Sequence, residues 1–219
     1  MKLTKIKAIL TDLDGTLYRC PKYEAEIKRL TLEIVSEKLG VSVEEAQHRL
    51  TEARKICVTL TRSIEYVGVS RHYFYDELSK RLRYTELLKP DPKIAEFLRQ
   101  LRSMGYKVAI ITNSGRPHAL GTMGALKIPL DAVDALITSS EVEPKTSPKP
   151  YLRGLELLGV PAKETVYMGD RVEDEVKPAK ELGMITVLVS NQEVVSPWVD
   201  YVIDSPFKLL EVLKKLEAC

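Results

Sequence analysis

Two kinds of apolar spacing follow one another along this chain, and the points where they change divide it. Near the start, Ile6, Ala8, Ile9 and Leu10 form an almost unbroken apolar run. A run this short, closed by polar and glycine-containing sequence, predicts a strand buried on both faces. From Tyr18 the spacing turns helical for about seventy residues. Ile27, Leu30, Ile34, Val35 and Leu39 mark one stripe, closed by Gly40. Val41 to Leu50 restarts it, with Ser42 and Glu45 spaced as a capping box. Tyr66, Tyr73, Phe74 and Tyr75 then cluster ahead of Leu78 and Leu82.

From Pro90 onward strand and helix patterns alternate, the signature of a parallel sheet with crossover helices. The spacing predicts strands over 108–111, 133–138, 165–168, 185–189 and 199–203. Helices are predicted over 94–104, 118–126, 173–182 and 206–216, with another starting at Pro148 or Pro150. The expected fold is α/β, with a doubly wound parallel sheet core made of residues 1–17 and 88–219. Residues 18–87 are expected to be an inserted all-helical cap domain with its own small core, sitting over the first strand as a lid.

Length and charge narrow the field. The 219 residues are 44% apolar, enough for one good core and a smaller appended unit. With 33 basic and 31 acidic side chains the net charge is +2, and no long basic stripe exists to hold a nucleic acid polymer. No apolar run approaches the length of a membrane span, and the first residues lack a signal peptide's apolar stretch, so a cytoplasmic location is the expectation. Cys20, Cys57 and Cys219 are scattered, which predicts free thiols rather than disulfides or a zinc site. His48, His72 and His118 are isolated, and His118 is expected to cap a helix or face solvent.

The chemistry is carried by polar residues that directly follow apolar runs. In an open parallel sheet ligands sit outside the carboxyl ends of the strands, so such residues converge in one crevice. Asp12 and Asp14 end the first run, and Gly15 lets the backbone turn away. Two like charges this close persist only with a cation between them or a proton on one. A carboxylate beside a hard cation can attack phosphorus while its neighbour moves a proton. Three further groups complete the set: Thr112, Asn113 and Ser114, the Lys145 to Lys149 region, and Asp170 to Glu175. Hydroxyls and backbone N–H groups hold phosphate oxygens, a lysine offsets their charge, and acidic side chains supply oxygen ligands to Mg²⁺. Taken singly each has a plainer reading, as a helix cap or a surface lysine.

DLDGT at 12–16, TNS at 112–114, a lysine ahead of a Pro-containing helix start and GDRVEDE at 169–175 resemble the four motifs of the haloacid dehalogenase superfamily. The resemblance spans the whole core. It implies a Rossmann-like core, a bound Mg²⁺ ion and an aspartyl-phosphate intermediate. On this chain Asp12 is then nucleophile and metal ligand, and Asp14 general acid/base and metal ligand through its backbone carbonyl. Thr112, Asn113 and Lys145 hold the phosphate, and Asp170 is the outer metal anchor. Lys145 is preferred to Lys149 because it stands about thirteen residues ahead of Leu158-Gly159-Val160. Asp174 is the expected second acidic position, with Glu175 as the alternative.

Within the superfamily, Asp14 argues for phosphorus, because alkyl halide displacement needs no protonated leaving group. The expected activity is a phosphatase acting on a small phosphate ester, a nucleotide or a sugar phosphate, as a monomer or homodimer. A phosphomutase of the same fold and a non-catalytic phosphate- and metal-binding regulatory protein are the alternatives. Arg19, Lys22, Arg62 and Tyr66 are the lid positions that could reach substrate, with solvated surface as their plainer reading.

Overall fold

The computed structural model describes residues 5–218, so Cys219 lies outside the described residues. Six parallel strands form one sheet in the order β3-β2-β1-β4-β5-β6. They are β1 (Ala8–Thr11), β2 (Lys107–Ile111), β3 (Ala135–Ile137), β4 (Thr165–Gly169), β5 (Ile185–Val189) and β6 (Tyr201–Ile203). The first strand is central, with Ala8 opposite both Lys107 and Thr165. The chain winds outward from β1 to β3, returns to β4 and winds the other way. The strand order therefore reverses between β1 and β4, where ligand crevices form in such sheets.

Because side chains alternate along a strand, each strand feeds two apolar layers. Ile9, Val108, Val166 and Val187 enter one layer; Leu10, Ala109, Tyr167 and Leu188 enter the other. The second layer is covered by α8 (Lys149–Leu158) and α9 (Lys177–Glu181). The first is covered by α6 (Pro92–Ser103), α7 (Arg116–Leu126) and α10 (Leu209–Ala218). Leu209, Val212 and Leu213 put α10 on the sheet as its amphipathic pattern predicts.

Between β1 and α6 lie five helices: α1 (Pro21–Leu39), α2 (Val43–Ile56), α3 (Leu60–Tyr66), α4 (Arg71–Arg81) and α5 (Tyr84–Leu87). Pro21 fills the first turn of α1, and Gly40 ends it in the left-handed conformation that glycine adopts freely. The Ser42 side chain accepts from the Glu45 N–H, while the Glu45 carboxylate turns outward to Arg49, so only half of the capping box forms. The buried side chains of these helices are continuous with those of the sheet layer below. Leu30, Ile34, Ala46, Phe74 and Leu78 belong to the same buried cluster as Ile9 and Val108, because α4 and α5 pack directly on α7. Among the described residues no helix is long and apolar enough to cross a membrane.

The strand expectations match closely in place, whereas the helix expected over 173–182 does not form as such. A π-turn occupies Val172–Val176, followed by the single-turn α9. Its wider winding changes which acidic side chains turn inward, a shift that matters at the site.

Candidate active site

Asp12 follows β1 directly and is 3% exposed, its N–H bonded to the Met168 carbonyl of β4. Thr16 donates to Asp12 Oδ2 at 2.9 Å, and the Lys145 ammonium donates to Asp12 Oδ1. Lys145 reaches this point from the loop ahead of α8 and is 1% exposed. Its Nζ also lies 2.8 Å from Glu175 Oε1. Asn113 fixes the loop, its Oδ1 accepting from the Lys145 N–H at 2.7 Å. Lys149, by contrast, is an exposed lysine paired with Glu143 at 2.5 Å. The structure brings Lys145, and not Lys149, to the strand ends.

Asp170 follows β4. One carboxylate oxygen each of Asp12, Asp170 and Glu175 lies within 4.8 Å of the others. Glu175 stands where Asp174 was expected, so that assignment is corrected. The π-turn directs Glu175 inward under Lys145, while Asp174 turns to Arg171 at 3.8 Å. Gly169 makes the room, since a Cβ there would lie 2.7 Å from Glu175 Oε2. Gly15 does the same for Asp170. Its φ is +91°, and a Cβ would lie 2.5 Å from Asp170 Oδ2, so a side chain at 15 is excluded both by conformation and by contact.

The cluster is electrostatically unbalanced. Three buried or half-buried carboxylates share a single ammonium, and the nearby Arg171 is paired with Asp174. Burial and the Asp12 charge push Glu175 up to about 8 and Asp170 up to about 6. Burial pulls Lys145 down, but the charges of Asp12 and Glu175 outweigh it and raise its pKa. Asp170 Oδ1 is buried with no hydrogen-bond partner. Surplus negative charge and an orphaned carboxylate oxygen are what a hard divalent cation satisfies, so these residues fit a Mg²⁺ site.

Asp14 is turned the other way, toward the helical insertion. Tyr18 donates to its Oδ1 at 2.5 Å, and Ser114 and Thr112 donate to Oδ2 at 3.0 and 3.3 Å. Beyond Tyr18 the side chains of Tyr23, Tyr84 and His118 pack together, with ring centroids 5.7 to 6.2 Å apart. His118 is 2% exposed and its Nδ1 meets Tyr84 OH at 3.1 Å. That overturns its expected place as a cap or solvent-facing residue. Arg19 donates to the carbonyls of Gly15 and Val189, Arg62 faces Glu143 at 3.8 Å, and Lys22 and Tyr66 are exposed. Cys20 is half-buried near the Leu87 carbonyl, and Cys57 is half-buried too.

Thr16, Tyr18 and Glu175 are the site residues that sequence reasoning missed or ranked second. Thr16 carried a readable signal, four residues after Asp12 in the tight turn that Gly15 opens. Nothing in the local pattern marked Tyr18, whose phenol reaches Asp14 only through the fold of that turn.

Fold and site together define a parallel α/β protein with a buried lysine and a cluster of carboxylates at the carboxyl end of its central strand. Residues 6–183 match the model of the haloacid dehalogenase-like hydrolases. The glyceraldehyde 3-phosphate phosphatase of Methanocaldococcus jannaschii is 30% identical, over 97% of this chain and 99% of its own length. The phosphoglycolate phosphatase of Aquifex aeolicus is 31% identical over 84% of each. A crystal structure of a HAD phosphatase from Thermococcus onnurineus covers 95% of this chain and 98% of its own, with a TM-score of 0.73 and 28% identity. The chain belongs to the haloacid dehalogenase-like hydrolase family, as an enzyme of its phosphatase type.

Proposed function

We propose that the chain is a Mg²⁺-dependent phosphomonoester hydrolase that works through an aspartyl-phosphate on Asp12. Its substrate is a small phosphorylated metabolite of the nucleotide or sugar phosphate kind. The reading is carried by one observation: Asp12 is buried at the end of the central strand, with Lys145 on one oxygen and carboxylate oxygens of Asp170 and Glu175 within 4.8 Å.

The phosphate of the ester would be held by Lys145, the Thr112 hydroxyl and the backbone of the Thr112–Ser114 turn. An Asp12 oxygen attacks phosphorus, the P–O bond to the alcohol breaks, and Asp14 gives its proton to the departing oxygen. Asp14 then takes a proton from water as that water attacks phosphorus, which releases inorganic phosphate and restores the Asp12 carboxylate. Mg²⁺ bound by Asp12, Asp170 and the Asp14 carbonyl, with Glu175 close by, would offset the repulsion between carboxylate and phosphate. The helices over Asp14 act as the lid that keeps bulk water from the phosphorylated aspartate. A soluble ester in the cytoplasm is the proposed partner, and the active unit is proposed to be a monomer or homodimer.

The test is hydrolysis of p-nitrophenyl phosphate with and without chelator, in the natural chain and in Asp12→Asn. Chelator-sensitive release of phosphate, abolished in Asp12→Asn while the fold persists, is expected. Undiminished turnover in Asp12→Asn would overturn the assignment, and an isomerised ester without free phosphate would point to a mutase.

A further inference from the structure

Hydroxyl and aromatic groups, none of them cationic, surround the Asp14 carboxylate. Its two oxygens accept from Tyr18, Ser114 and Thr112 alone among the described residues. The next layer is also neutral. Tyr23 OH pairs with Thr122 Oγ1 at 2.6 Å, and Tyr75 OH with Thr61 Oγ1 at 2.9 Å and the Asn113 carbonyl at 3.0 Å. Tyr84 OH pairs with His118 Nδ1. The imidazole is the group that could have brought a positive charge, and burial lowers its pKa despite the opposing pull of Asp14. It is therefore neutral at neutral pH.

None of the neighbouring cations bonds to Asp14 among the described residues. Lys145 lies on the far side, between Asp12 and Glu175. Arg116 is held by Glu141 and the Leu136 carbonyl, and Arg71 by Glu65 at 3.5 Å. Arg19, next to Tyr18 in the sequence, donates to the Gly15 and Val189 carbonyls.

This inference rests on the phosphatase reading above, in which Asp14 protonates the departing oxygen. The groups around Asp14 are then the groups the leaving alcohol meets when the lid is closed over it. We propose that the site takes phosphate monoesters of small uncharged alcohols carrying further hydroxyl or carbonyl oxygens, and rejects esters whose leaving group bears a second anion. A polyol or hydroxyaldehyde can exchange hydrogen bonds with phenols, threonine hydroxyls and a neutral imidazole, each of which both donates and accepts. A second carboxylate or phosphate would have to shed its water among hydroxyl and aromatic groups that offer it no cationic partner, an arrangement penalised by desolvation.

Selectivity within one assay decides the matter. The kcat/KM of glycerol 1-phosphate and glyceraldehyde 3-phosphate would be measured against 2-phosphoglycolate and pyrophosphate, with p-nitrophenyl phosphate as common reference and Asp12→Asn as control. The uncharged leaving groups are expected to be preferred at least about tenfold, the scale of one unfavourable polar contact. Equal or better turnover of phosphoglycolate or pyrophosphate overturns the inference while leaving the phosphatase reading intact. So does turnover of p-nitrophenyl phosphate with none of the short esters accepted. If p-nitrophenyl phosphate is not hydrolysed, or is hydrolysed equally by Asp12→Asn, the phosphatase reading itself fails and the inference falls with it.

Discussion

Replacing Lys145 with methionine removes one charge while nearly keeping the side chain's length and volume, so the response reports electrostatics rather than a cavity. The ammonium is 1% exposed and both of its partners, Asp12 and Glu175, are 4% exposed. Without it two buried carboxylates face each other and Asp170 with no cation. Breaking a buried pair in this way costs about 3–5 kcal/mol. In a chain of this length that corresponds to a fall in the thermal midpoint of roughly 6–20 °C. Loss of a preorganised contact to phosphate should lower kcat by roughly a hundredfold or more. Lys149→Met is the matched control. Its ammonium is 65% exposed on Glu143, and such surface pairs contribute little, so midpoint and turnover should hardly move. Calorimetry on both variants without added divalent cation, and initial rates in excess Mg²⁺, make the comparison. Equal midpoints and equal rates for Lys145→Met and the natural chain would refute the reasoning, most decisively if Lys149→Met were the damaged one.

Three further outcomes are expected. Glu175→Gln should weaken Mg²⁺ dependence about 10- to 100-fold in a metal titration, whereas Asp174→Asn, whose side chain faces Arg171, should shift it far less. Burial lowers the His118 pKa, so below the ordinary histidine value of about 6.5 the unfolded chain takes up a proton that the folded chain refuses. Stability is therefore whole above that value and falls as pH drops toward the folded pKa; urea midpoints at pH 7.5 and 5.5 should differ less in His118→Phe than in the natural chain. At Gly121 an added Cβ would stand 2.5 Å from the Tyr84 ring, so Gly121→Ala should destabilise by about 1–3 kcal/mol, read from its urea midpoint.

The middle of the sheet was legible because β1, β2, β4 and β5 are buried along almost their whole length and announce themselves as apolar runs; β5 occupies the residues the pattern predicted. Helix starts were less so. The first turn of α1 begins at Pro21, well before Ile27, since a proline start carries no apolar stripe. Asp12 and Asp170 were readable as polar residues after apolar runs, and Lys145 through the motif spacing that the family resemblance implies. Choosing between Asp174 and Glu175 was beyond the pattern, because neighbouring acids differ only in the winding of the turn that carries them, and a π-turn shifts that phase. His118 misled for another reason. Its surroundings are supplied by Tyr23, Tyr75 and Tyr84 from distant segments, which local spacing does not encode.

The placement of β1 bears on how the polypeptide is made. The innermost strand leaves the ribosome before any other, yet the edges it must join, at Lys107 and Thr165, are synthesised much later. At ordinary elongation speeds the interval is on the order of ten seconds, during which a greasy strand has both flanks bare. A nascent chain halted after Leu87 should therefore be a client for chaperones and prone to clump, and release of that hazard should coincide with emergence of β4.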